Sequence, residues 1–306
     1  MRGSPNCLAI CYNGPLVRWV LSVVAMKPLR CVAIVGVGLI GGSIGMALRK
    51  RGLAASVVGI GRRQETLRIA RRVGAVTHTT VDIAKGVTEA ELVVVCTPVG
   101  RIAEDVRAVA EHCPPDTLIT DAGSAKQAIV EAVDGQLPRG SRFLGSHPLA
   151  GGEKGGAAHA NADLFEGRVA IITPTRNTRA EDFDHLEDFW SSLGSMVMQM
   201  PPEEHDRILA LTSHLPHAAA AVLATMVPEN CFRLTGAGFI DTTRVAAGDP
   251  ELWLQIFLAN RENLLHVLHQ YQAELNNLLS ALATPDAQKL HEILTRAKKN
   301  RNALGN

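Results

Sequence analysis

The stretch Cys31-Val32-Ala33-Ile34-Val35-Gly36-Val37-Gly38-Leu39-Ile40-Gly41-Gly42-Ser43 decides how this chain is read. Cys31 to Val35 is a short apolar run rich in β-branched residues, the composition of a buried strand. Glycines follow at G-x-G-x-x-G spacing. Leu39 to Arg51 then takes helical spacing, with Gly42, Ser43, Gly45 and Ala47 on one side, three basic residues at its end and Gly52 as a C-cap. Strand, glycine turn and helix in that order suit the pyrophosphate of a dinucleotide. Gly36 permits the tight turn, Gly38 lets the backbone approach the phosphates, and Gly41 allows the helix to pack against the strand. The helix N-terminus supplies free N–H groups and a positive dipole end. Gly36, Gly38, Leu39, Ile40 and Gly41 are the expected contacts. The flanking strand and helix argue against a merely flexible loop.

Outward from this motif the pattern repeats. Ser56 to Ile60 reads as a second strand and Gln64 to Val73 as a second helix, ended by Gly74. Glu91 to Cys96 and Thr117 to Asp121 are further buried strands, each followed by a loop and a helix. Arg142 to Ser146, Arg168 to Thr173 and Ser195 to Met200 are strand-like as well. Such alternation predicts an α/β fold, a doubly wound parallel sheet covered on both faces. After Pro201-Pro202 the chain turns helical: Ala218 to Met226 is alanine-rich, Glu251 to Leu282 carries a long apolar period, and Asp286 to Asn300 ends the chain. A helix such as Trp253 to Leu279 is too apolar for a free surface, which predicts a homodimer formed through the C-terminal helices.

The expected division is an N-terminal extension over 1–26, a dinucleotide-binding domain over 27–200 and an all-helical substrate and dimerisation domain over 201–306. In the extension, Trp19 to Met26 is apolar but too short to span a membrane, and no small-residue cleavage site follows it. Met26 stands just before the first good strand, so residues 1–25 are expected to be disordered or a mis-assigned start.

Composition excludes several classes. The chain has 306 residues, with 31 Lys and Arg against 30 Asp and Glu, so bulk charge implies no polyanion surface. Aromatics at 4% argue against a stacking platform for single-stranded nucleic acid. Neither a nucleic acid nor a membrane is expected as a partner. The six cysteines form no C-x-x-C pair, and Cys31 and Cys96 fall inside apolar runs, which suits small buried hydrophobes in the reducing cytoplasm.

The end of the second strand bears on the cofactor. An NAD site usually places Asp or Glu there to accept from the ribose 2′-OH. Here the residues are Gly59-Ile60-Gly61-Arg62-Arg63, with no acid. Arg62 and Arg63 suit a 2′-phosphate, which they can grip bidentately. NADP is favoured, with NAD as the alternative.

The chemistry is expected in the loops after later strands. Thr97 and Pro98 follow the Glu91 to Cys96 run and are expected to line the nicotinamide pocket. The next strand leads to Asp121-Ala122-Gly123-Ser124-Ala125-Lys126, where Ser124 is either a functional hydroxyl or a helix N-cap. Then comes Gly145-Ser146-His147-Pro148-Leu149-Ala150-Gly151-Gly152-Glu153, a histidine at a strand end opening into a glycine-rich loop, a functional rather than structural placement. A third cluster is Glu204-His205-Asp206 with Ser213-His214-Leu215-Pro216-His217. His214 and His217 share a helical face, but no further ligand stands at matching spacing, so no metal is expected. The fourth cluster runs from Gly236 through Asp241-Thr242-Thr243-Arg244 to Asp249-Pro250 and Trp253, with Arg244 a plausible carboxylate clamp.

G-V-G-L-I-G-G-S, S-H-P-L-A-G-G-E-K, S-H-L-P-H and G-F-I-D-T-T-R-V-A-A-G-D-P, in this order across roughly residues 30–280, resemble the prephenate/arogenate dehydrogenase family of tyrosine biosynthesis. The resemblance implies a Rossmann-type domain, a helical dimerisation domain and oxidative decarboxylation of a cyclohexadienyl substrate with hydride transfer to the nicotinamide. On it, His147 matches the catalytic histidine that accepts the ring C4 hydroxyl proton as hydride leaves, and Ser124 the serine that helps hold that hydroxyl. His217 and Arg244 match residues holding the substrate's side chain and carboxylates, Glu153 an acid near the pocket mouth, and Asp206 a partner that orients a histidine. The missing acid after the second strand resembles NADP-using members. The second histidine of S-H-L-P-H, His217, makes prephenate the first choice of substrate and arogenate the alternative. A β-hydroxyacid dehydrogenase shares the plan but would rely on a lysine in the helical part, and Glu203 to Trp253 contains none. A non-catalytic NADP-sensing protein would leave His147 without a task.

Overall fold

The computed structural model describes residues 18–20, 26–152 and 154–305. Its strands are β1 (Arg18–Val20), β2 (Leu29–Val35), β3 (Ala54–Ile60), β4 (His78–Thr80), β5 (Leu92–Val95), β6 (Leu118–Asp121), β7 (Arg142–Pro148), β8 (Val169–Thr173) and β9 (Met196–Gln199). They form one sheet in the order β1-β9-β8-β7-β6-β5-β2-β3-β4. Helices α1 (Leu39–Lys50), α2 (Gln64–Arg72), the single turn α3 (Ile83–Gly86), α4 (Ile102–Ala110), α5 (Gln127–Val133) and α6 (Ala180–Ser192) connect and cover it.

Period-two alternation sorts the strand residues between two cores. Val32, Ile34, Leu92 and Val94 face a cluster with α1 and α6 that includes Ile44, Leu48, Phe189 and Trp190. Ala33, Val35, Val93 and Val95 face α4 and α5 through Ile102, Val106, Ile129 and Val133. Each fully buried Val or Ile contributes about 1.5–3 kcal/mol of transfer free energy, which explains why these runs read as near-continuous apolar strands. In-register parallel pairing sets Val35 beside both Ile60 and Val95, and Val95 beside Asp121. The carboxyl ends of β2, β3, β5 and β6 therefore open on one edge, where ligands of such sheets bind.

The sheet departs from the parallel expectation beyond β7. β8 runs antiparallel to it, with His147 opposite Ile171, and β9 is parallel to β8. Parallel pairing needs a crossover, normally a helix. Among the described residues between β7 and β8 the one helical element is the 3₁₀ turn Ala157–His159, so the chain returns along the same edge. In the N-terminal extension, Arg18–Val20 pair antiparallel with β9, Arg18 opposite Gln199. The rest of the extension before Met26 lies outside the described residues. Cys31, Cys96, Cys113 and Cys231 are free thiols.

The helical part begins with α7 (Pro202–Leu209), a π turn (Ala210–His214) and α8 (Leu215–Met226). It continues through α9 (Ala237–Thr243), α10 (Pro250–Ala259), α11 (Arg261–Ala283) and α12 (Ala287–Ala303). The single helix expected over Trp253 to Leu279 is broken at Asn260. Its backbone leaves helical geometry (φ −116°, ψ 34°), and its buried side chain donates to the Asp206 carbonyl at 2.7 Å and pairs with His214 Nδ1 at 3.1 Å. Leu252, Leu254, Leu258, Leu275, Leu279 and Leu282 stand exposed on these last helices.

Candidate active site

The carboxyl edge of the sheet opens into a cleft of about 690 Å³. Its floor is the glycine turn. Gly36 has φ +93°, and a Cβ there would sit 2.7 Å from the Cys96 carbonyl, so only glycine fits. A Cβ at Gly41 would collide with the Gly36 carbonyl as α1 packs onto β2. At Gly38 a Cβ would meet nothing within 4 Å, which leaves free space at the N-terminus of α1. Leu39 and Ile40 line the cleft beside it. Arg62 and Arg63 stand exposed in the cleft wall past β3, together with Thr66. Thr97 and Pro98 form the wall after β5, and the Thr97 hydroxyl is buried without a partner. An anion cradle at a helix end, two guanidinium groups and an unsatisfied hydroxyl fit a dinucleotide phosphate, its ribose and an amide. Thus the residues present suit a nicotinamide dinucleotide.

The far wall carries Ser124, Ala150 to Gly152, and, from the helical part, Gly248, Asp249 and Trp253. His147 lies at the end of β7, buried. Its Nδ1 is 2.8 Å from His205 Nε2, and His205 Nδ1 is 2.7 Å from Asp206 Oδ1. The Asp206 carboxylate also accepts from the backbone N–H of Lys126 at 2.8 Å and of Gln127 at 3.0 Å. An acceptor held by these donors fixes the proton of each ring. His205 donates from Nδ1 to Asp206 and accepts at Nε2, so His147 donates from Nδ1 and keeps a lone pair on Nε2. That nitrogen makes no hydrogen bond among the described residues. Burial pushes the His147 pKa well below 6.5, and His205, Lys126 and His214 push it further. Burial lowers His205 too, although Asp206 opposes the shift. His147 is consequently neutral at neutral pH.

Under this pair lies a second buried network. Lys126 Nζ forms an ion pair with Asp121 Oδ2 and donates to the Ser146 carbonyl at 2.9 Å. Asp121 accepts from Gly123 N at 2.9 Å and Ser146 N at 3.1 Å. The Ser146 hydroxyl donates to the Asp121 carbonyl at 2.6 Å and lies 3.0 Å from Trp190 Nε1.

His217 on α8 is buried and stacks on Trp253, ring centroids 3.6 Å apart at 13°, with Nδ1 unpartnered. His214, whose pKa burial pushes down to about 4, bonds Asn260 and faces the edge of Trp253. The helical face shared by the two histidines is thus used for packing and hydrogen bonding. Among the described residues no group of three His, Cys, Asp or Glu could hold a metal ion.

Asp206 is 1% exposed, and both its oxygens are engaged with His205 and the amides at the start of α5. It can orient the histidine but cannot touch a substrate. Arg244 opens the 3₁₀ turn Arg244–Ala247, which packs on α8, and stands exposed outside the cleft wall of the single chain. Glu153 lies outside the described residues. The residue that sequence reasoning passed over is His205. It stood in the quoted Glu204-His205-Asp206 cluster without a role, and only the fold brings it to a histidine 58 positions away.

A glycine-cradled dinucleotide cleft and a buried, neutral histidine paired at the end of β7 define a nucleotide-binding dehydrogenase. Comparison with known proteins narrows the class. Residues 44–199 match the prephenate dehydrogenase nucleotide-binding domain and residues 201–296 the prephenate dehydrogenase dimerization domain, so the chain belongs to the prephenate dehydrogenase family. It is 35% identical to the cyclohexadienyl dehydrogenase of Zymomonas mobilis over 286 residues, 91% of this chain and 97% of that one. A crystal structure of Aquifex aeolicus prephenate dehydrogenase, in complex with hydroxyphenyl propionate and NAD+, is similar at TM-score 0.85 and 32% identity, covering 92% of this chain and all (100%) of that one. Synechocystis arogenate dehydrogenase is similar at TM-score 0.76 and 28% identity, covering 90% and 99%.

Proposed function

We propose that the chain oxidises prephenate to 4-hydroxyphenylpyruvate and CO₂ with NADP as hydride acceptor, using His147 as the base. The observation that carries this reading is the Asp206–His205–His147 relay, which leaves Nε2 of His147 as a neutral acceptor at the end of β7. When bound, the nicotinamide supplies the acceptor for the hydride leaving C4 of the ring. His147 Nε2 takes the C4 hydroxyl proton as that carbon becomes a carbonyl, with Ser124 aiding the hold on the hydroxyl. The resulting imidazolium is stabilised through His205 by the Asp206 carboxylate. The ring then loses CO₂, the bond pair moving into the ring and onto the C4 oxygen. The phenolate so formed takes the proton back from His147. Base and relay thereby return to their starting state with no net proton released. Arg244 and His217 are the proposed grips on the carboxylates and side chain.

Arg62 and Arg63 in the wall past β3 support NADP, since no carboxylate stands there to accept from a 2′-OH. NAD is the alternative, and the Aquifex relative carries it in its complex. L-Arogenate is the second substrate reading, favoured by the likeness to the Synechocystis enzyme. The functional unit is a homodimer closed by the exposed leucines of α10 and α11, in a domain divided from the dinucleotide-binding half near residue 200. Free thiols support a cytoplasmic setting.

The test is a two-by-two assay of purified protein, prephenate or L-arogenate against NADP or NAD, read as reduced nucleotide. Turnover with prephenate and NADP at the highest kcat/KM is expected. Silence in all four combinations would overturn the enzyme assignment, and a clear NAD preference would overturn the cofactor one.

A further inference from the structure

Lys126 and Asp121 are both fully buried, and together they bond Asp206 and the backbone next to Ser124 and His147. The Asp121 carboxylate accepts from Gly123 N, next to Ser124, and from Ser146 N, next to His147. Lys126 Nζ donates to the Ser146 carbonyl, and the Lys126 backbone N–H donates to Asp206. A buried ion pair in a fold of this kind is costly to desolvate, and an apolar pair of similar volume is often at least as stable. Stability alone is therefore a weak reason for its presence, whereas its hydrogen bonds all end beside groups the chemistry needs.

We propose that the Lys126–Asp121 pair is the positioning element of the reaction, holding Ser124, His147 and the His205–Asp206 relay in one register. This rests on the reading of His147 as the base. The charged and titratable groups facing His147 are His205 and Asp206 on α7, His214 on the π turn, and Lys126 with Asp121 below; β8 presents Ile171. Burial and His205 are the larger causes of the lowered His147 pKa, and Lys126, whose own pKa burial lowers, adds to them.

A single substitution would strand one buried charge, so the pair is replaced together. Asp121→Asn/Lys126→Met removes both charges and the Lys126 hydrogen bond to the Ser146 carbonyl, and Asp121→Asn/Lys126→Gln removes the charges while keeping a side-chain donor there. Two readouts are taken: the titration and tautomer of His147 by nitrogen-15 NMR in the ligand-free protein, and the pH profile of kcat/KM. In both variants the His147 midpoint rises toward its ordinary value, and the acidic limb of the profile moves to higher pH. In the Met variant kcat/KM also falls about 10- to 100-fold, with dinucleotide affinity by fluorescence titration unchanged. An unmoved His147 titration in folded variants would overturn the proposal. So would failure of both variants to fold, which would assign the pair to stability. Because the NMR readout needs no turnover, an inactive wild type would sink the functional reading and leave this result interpretable.

Discussion

His147 Nδ1 and His205 Nε2 lie 2.8 Å apart with their rings at 62°, so the proton between them has one donor and one acceptor. Which ring donates is decided by the Asp206 carboxylate beyond. The free nitrogen of His147, the proposed base, is thus specified by a buried carboxylate behind it.

Replacing His205 with Phe keeps ring volume and removes the acceptor. His147 can then carry its proton on either nitrogen, and the imidazolium loses its link to Asp206. Steady-state kinetics are expected to show kcat lower by about 10- to 100-fold, with the substrate KM changed little. His147→Asn should cost more, on the order of 10²–10⁴ in kcat. Equal, unchanged rates in both variants would remove the relay from the mechanism.

Arg62→Ala/Arg63→Ala tests the cofactor. Losing charge-assisted hydrogen bonds of about 1.5–3 kcal/mol to a 2′-phosphate raises the NADP Kd by about 10- to 100-fold. NAD binding, which lacks that phosphate, is expected to stay near its starting value. Fluorescence titration of both nucleotides checks this, and parallel losses for the two would contradict the assignment.

Acid should destabilise the fold before it touches the surface carboxylates. Burial lowers the pKa of His147, His205, His214 and His217 below the unfolded 6.5. Between the folded and unfolded values the unfolded chain binds more protons, so stability rises with pH there. The contribution is present above pH 6.5 and lost as pH falls toward the folded values. For His214, a fall from 6.5 to about 4 corresponds to roughly 3 kcal/mol over that window. Urea midpoints measured from pH 7.5 to 4.5 should drop steadily, and a flat series would contradict it.

Leu275, Leu279 and Leu282 lie at helical spacing on one side of α11, each about half exposed in the single chain. Leu275→Glu/Leu279→Glu places two charges where an apolar partner surface is proposed. Light scattering after size exclusion is expected to show a dimer for the wild type and a monomer for the variant. A wild-type monomer would overturn the homodimer.

Much of the dinucleotide-binding half was legible because its information is local. Cys31 to Val35 and Leu92 to Val95 are buried on both faces and read as strands whatever surrounds them, and Gly36 announces a turn by the conformation it alone tolerates. The direction of β8 was not legible, since an apolar run such as Val169 to Thr173 reads alike both ways, and direction depends on the loop before it. The break at Asn260 escaped because the apolar period runs through it, and its cause is a hydrogen bond to Asp206, 54 positions away. His205 escaped for the same kind of reason. A histidine between two acids in a first helical turn looks solvated, and it became informative only when α7 docked on β7.

Asp206 stands on the first helix of the helical part, yet its carboxylate closes on the amides that open α5 in the other half. The joint between the two halves is therefore also the last component of the proposed base. A fragment carrying the glycine turn alone could hold a nucleotide but would carry an untuned histidine. Exchange of halves between relatives is expected to succeed only where this contact is rebuilt. If His147 is the base, a chain whose halves have not met correctly has nothing with which to start the reaction.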